Sequence, residues 1–62
     1  MIDEISIIIP AYNAEKTIKK SLELILKEAS KFKSEIIVVD DKSNDKTVEI
    51  VKTFKNIKLI QL

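Results

Sequence analysis

Glycine is absent from this 62-residue chain, and that absence excludes more than any other single feature. A Gly-rich dinucleotide fingerprint and a phosphate-binding P-loop both need backbone approaches that a Cβ would block, so neither is present. Cysteine and histidine are also absent. Zinc sites and a Ser-His-Asp triad are therefore excluded, and nothing indicates the redox compartment. All eleven basic residues are Lys, which argues against a bidentate guanidinium clamp on phosphate. The net charge is only +1, with acids and Lys interspersed, so no basic patch for nucleic acid forms. No apolar run approaches the roughly 20 residues of a membrane span. Met1-Ile2-Asp3-Glu4 is acidic where a signal peptide is basic, which predicts a cytoplasmic chain. A chain of this length buries only about 60% of its unfolded surface, and it lacks disulfides or an evident metal to staple it.

What is present is a regular alternation. Ile5-Ser6-Ile7-Ile8-Ile9 is β-branched and almost continuous, as in a strand of a parallel sheet buried on both faces. The single proline, Pro10, is expected to end it. Asn13 is then placed to cap a helix, with Glu15 in its first turn. Ile18, Leu22, Ile25, Leu26 and Ala29 form one helical stripe, with Leu24 off it. That helix is expected to end near Lys31. Glu35 to Asp40 reads as a second strand. Ser43, Asn44 and Asp45 are candidate caps for a second helix, whose inner stripe is Val48, Val51 and Phe54, joined by Ile50. Asn56 is a C-terminal stop. Residues 57–62 read as a third strand.

The order β-α-β-α-β predicts a Rossmann-like half with a parallel sheet. Right-handed crossovers give strand order 3-2-1. A chain that ends in an apolar strand is read as the first part of a longer α/β domain, so residues 1–62 are expected to be an incomplete unit. The loops after strands one and two should share the carboxyl edge, where open α/β sheets bind ligands. There Tyr12 could stack on a planar base or simply cover the sheet edge. Pro10 could offer its carbonyl to a ligand or only terminate the strand. Asp40 and Asp41 should point in opposite directions, one back into the sheet and one into the crevice. Either capping of a nearby N–H or acceptance of a ligand N–H is open to them. A calcium loop starting at Asp41 is rejected, because Lys46 stands where glycine is required and Lys52 where the bidentate Glu belongs.

Taken together, "ISIIIPAYNAEKTIKKSLELIL" and "EIIVVDDKSNDKTVEIVKTF" resemble the start of a family 2 glycosyltransferase of the GT-A fold. The resemblance covers about residues 4 to 62 and rests on P-A-Y-N and D-D-x-S-x-D, each between a strand and a helix. It implies the nucleotide-binding part of an enzyme that transfers a sugar from a nucleotide-diphospho-sugar, a UDP-sugar above all, to an acceptor hydroxyl. By that similarity Pro10, Ala11 and Tyr12 border the base, Tyr12 lies against it, and Asp41 accepts its N–H. Asp40 would be structural, and Glu15 would border the pocket. Lys42 departs from the family, which usually has glycine there to ease a positive φ. Asn44 replaces the more usual Thr or Ser.

The resemblance further implies an inverting single displacement, helped by a divalent cation, Mg or Mn, and an acidic general base. Both would lie beyond Leu62, so no catalytic or metal-binding residue is expected in this chain, and the 62 residues alone are expected to be inactive. The longer protein could also associate with a membrane. The competing expectation is a non-catalytic or designed scaffold of the same topology that binds no nucleotide. A phosphorelay receiver, whose acid pair typically follows the first strand, fits less well. An open edge on the first strand is expected to make the chain self-associate.

Overall fold

The computed structural model describes residues 4–62. Met1, Ile2 and Asp3, on which the argument against a signal peptide chiefly rests, lie outside the described residues. The elements are β1 (Glu4–Ala11), α1 (Ile18–Ala29), β2 (Lys33–Asp40), α2 (Thr47–Lys52) and β3 (Ile57–Gln61). All strand pairs are parallel, in spatial order β1-β2-β3. This is the predicted order written from its other end, a Rossmann-like β-α-β-α-β arrangement.

Both crossovers step the same way across the sheet, so their shared hand puts both helices on one face. Ile18, Leu22 and Ala29 of α1 and Val51 of α2 pack with Ala11, Ile36, Val38 and Ile57 in one core. Ile7, Ile9 and Leu59 join from the same sheet face. The predicted α1 stripe is thus the packing face, and Leu24 is exposed. Alternation sends Ile8, Ile37, Val39 and Ile60 to the other face. Ile8 is 64% exposed and Ile60 44%, while Ile37 and Val39 are half-buried. Burial on both faces is therefore corrected: within this chain one face is packed and the other open.

Several element ends differ from expectation, each for a local reason. β1 runs through Pro10 to Ala11 rather than stopping at Pro10. Ala11 C=O accepts from Asp41 N–H at 2.9 Å, so the backbone groups of Ala11 face β2. In a parallel strand the groups of neighbouring residues face opposite sides, so those of Pro10 face the open edge of β1. The missing N–H of Pro10 therefore removes no bond from the sheet. Helix α1 ends at Ala29, not Lys31, where Ser30 and Phe32 N–H groups turn back onto Leu26 and Ala29 carbonyls. β2 begins two residues before Glu35, at Lys33. Helix α2 closes at Lys52, well before Asn56, through Thr53, whose hydroxyl donates to Ile50 C=O at 2.7 Å.

Candidate nucleotide-binding site at the carboxyl edge

The two loops that follow β1 and β2 are joined by their own polar groups. β2 ends in Asp40, 2% exposed, and Asp41, exposed. Asp40 Oδ2 accepts from Ser43 N–H at 3.1 Å, which bends the second loop back over the strand end. Its other oxygen, Oδ1, is buried with no hydrogen-bond partner among the described residues. Asp41 makes its backbone bond to Ala11, and among the described residues no ion pair engages its carboxylate. Strand alternation thus separates the two acids: one braces the loop and the other faces solvent.

Between them and α2 the chain passes through Lys42, whose φ is +57°. The left-handed region favours glycine, so this Lys sits where a Cβ is unfavourable. Asn13, with φ +46°, makes the matching bend in the first loop. Asparagine tolerates that region better than most residues do.

Asn13 was expected to cap α1, but its side chain does something else. Its Oδ1 accepts from Asn44 N–H, 2.9 Å away in the other loop. In return, three successive N–H groups of the first loop donate to side chains of the second. Asn13 N–H donates to Ser43 Oγ at 2.8 Å, Ala14 N–H to Thr47 Oγ1 at 2.7 Å, and Glu15 N–H to Asp45 Oδ2 at 3.2 Å. Helix α1 itself starts only at Ile18, after a turn closed by bonds from Thr17 and Ile18 onto Ala14 C=O. Glu15 consequently precedes the first helical turn rather than occupying it, and it is exposed.

None of the three caps considered for α2 is its N-cap, which is Lys46 without a side-chain bond. Asp45, one residue earlier, makes a local turn in which its Oδ1 accepts from both the backbone N–H and the hydroxyl of Thr47. Ser43 and Asn44 are spent on the first loop instead. Partial burial pushes the Asp45 carboxyl up, but bonds from the Thr47 side chain, the Thr47 backbone and the Glu15 backbone outweigh it and hold the group below its ordinary value.

Thr47, which the sequence reading passed over, is the hub. It is fully buried, and its hydroxyl accepts from Ala14 while donating to Asp45. The signal was available: a β-branched hydroxyl one turn before buried Val51, two residues after an Asp, sits where a local side-chain turn forms.

What the edge displays is simple. Ala11 is buried in the strand end, Pro10 and Tyr12 are exposed, and Tyr12 keeps 63% of its surface free. The Ala11–Asp41 backbone bond sets Tyr12 and Asp41 on adjoining strand ends. A planar aromatic face beside an acceptor that lacks an ion-pair partner suits a flat ligand with an N–H on its rim. Among the described residues no three acidic side chains gather to hold a metal ion. No described helix is long and apolar enough to cross a membrane.

Residues 6–62 match the model of glycosyl transferase family 2. The chain is 50% identical over 50 residues to an uncharacterised protein of Methanocaldococcus jannaschii, covering 81% of this chain and 19% of that one. It is 43% identical over 54 residues to the minor teichoic acid biosynthesis protein GgaA of Bacillus subtilis, covering 84% and 12%. To the poly(ribitol-phosphate) beta-N-acetylglucosaminyltransferase TarS of Staphylococcus aureus it is 42% identical over 52 residues, covering 82% and 9%. It therefore spans less than a fifth of each of these relatives. With nearly its whole length matched and its loops held together at the sheet's carboxyl edge, the chain belongs to glycosyl transferase family 2.

Proposed function

We propose that this chain is the base-binding part of a glycosyltransferase that uses a nucleotide-diphospho-sugar, with UDP-sugars as the first choice. The observation that carries this reading is the pairing of exposed Tyr12 with the outward carboxylate of Asp41 on adjoining strand ends. Tyr12 stacks on the base and Asp41 accepts its ring N–H. Pro10 and Ala11 form the floor, Asp40 braces the second loop, and Glu15 stands at the rim.

Sugar transfer itself, an inverting displacement by an acceptor hydroxyl, is assigned to a longer protein of which these residues form a part. The divalent metal and the general base are assigned there as well, on the resemblance to the family. A cytoplasmic location for the site follows from the same proposal.

The competing reading is a scaffold of the same topology that binds no nucleotide. Titration of the folded chain with UDP, followed by calorimetry or amide chemical shifts, separates the two. Binding that is lost in Asp41→Ala, with the amide spectrum otherwise intact, supports the site. A folded chain that shows no response at millimolar UDP rejects it.

A further inference from the structure

We infer that Thr47 and Asp45 are positioning residues for the nucleotide base: the second loop, through them, sets where the first loop holds Tyr12. This rests on the base-binding reading given above. It goes beyond that reading because neither residue touches the proposed ligand.

The first loop has little to fix itself. Between Tyr12 and the start of α1 there is no glycine to favour a turn, and Asn13 is bent into the left-handed region. No side chain of the first loop caps α1. The loop's three leading N–H groups, from Asn13, Ala14 and Glu15, all donate to side chains of the second loop. Of those acceptors Thr47 is the one held most firmly, being fully buried on α2 and tied to Asp45 through its own hydroxyl. Asp45 has both oxygens in use, Oδ1 on Thr47 and Oδ2 on Glu15. The chain of contacts therefore runs from the core, through Thr47 and Asp45, to Ala14 and Glu15, and so to the residue two positions before Ala14, which is Tyr12. Asp41 is fixed by a separate bond to Ala11. The two halves of the proposed base site thus have different anchors, and the aromatic half depends on α2.

The test compares Thr47→Val, which keeps the shape and removes the hydroxyl, with Thr47→Ser, which keeps the hydroxyl. Each is titrated with UDP well below its unfolding midpoint, and the exchange of the Ala14 amide is followed alongside. The expected result is a loss of about tenfold in UDP affinity for Thr47→Val, the size of one positioning hydrogen bond, with faster Ala14 exchange. Thr47→Ser should restore both. A merely structural Thr47 would lower the unfolding midpoint and leave the affinity of the folded chain unchanged, which overturns the proposal. Should Thr47→Val not fold, Asp45→Asn replaces it, read on the Glu15 amide and on affinity in the same way. Absence of UDP binding by the wild-type chain would overturn the base-binding reading and this inference with it. Wild-type binding that survives both variants overturns this inference alone.

Discussion

Lys42 is the residue with the clearest unmet preference. At φ +57° its Cβ crowds the neighbouring backbone, a conformation that costs a non-glycine residue about 1 to 2 kcal/mol. Glycine recovers part of this, since it also gains freedom in the unfolded chain. Lys42→Gly should therefore stabilise the chain by up to about 1 kcal/mol in urea denaturation, and a loss of stability would show that the turn is not strained. Tyr12 behaves in the opposite way. Its ring is mostly exposed, so Tyr12→Ala should move stability by no more than about 0.5 kcal/mol. If it carries a base, the same change should weaken UDP by about 1 to 3 kcal/mol, the usual worth of one base stacked on an aromatic ring. An unchanged dissociation constant would remove Tyr12 from the site.

At the scale of elements, the two loops act as one. Asp45 joins the start of α2 to the first loop, and its carboxyl is held below its ordinary value in the folded chain. A group depressed by folding stabilises the fold above its unfolded value and loses that contribution as the pH falls through the folded one. The stability difference between wild type and Asp45→Asn should therefore be complete at pH 7 and shrink below about pH 4. Denaturation at the two pH values checks this, and a difference independent of pH would show that the carboxylate charge plays no part. From spacing alone the α1 stripe and its packing were legible, and the α2 stripe only in part. Val51 lies in the core and Phe54 packs against it from beyond the helix end, but Val48 is not among the packed residues. The starts of both helices were not legible. Asn13 and Ser43 are ordinary capping residues by type, but each finds its partner some thirty positions away in the other loop. Local propensity cannot choose between a cap and a cross-loop bond when both satisfy the same groups.

For the whole molecule, the sheet has an open edge on β1 and an open face, and both matter for association. Ile8 and Pro10 present their backbone groups to the edge, while Ile7 and Ile9 are bonded to β2. We propose that the isolated chain self-associates along this edge, with Pro10 blunting it near the proposed site. Ile8→Pro should keep the fold and reduce association in sedimentation velocity, since the lost N–H served no bond inside the sheet. Ile9→Pro should unfold the chain, since its N–H does. A wild-type chain that sediments as a monomer at high concentration would refute the association.

Sequence by itself determined the alternation of strand and helix, the parallel order and the meeting of the two polar loops on one edge. Each follows from hydrophobic period and the handedness of crossovers, which act along the chain. Tertiary structure decided the rest. It chose which face is packed, because both crossovers turn the same way, and it let Pro10 remain in β1, because its backbone groups point off the edge. It also made Thr47 the hub: the sequence signals its local turn with Asp45, but only the folded chain brings its buried hydroxyl to within 2.7 Å of an N–H from the other loop.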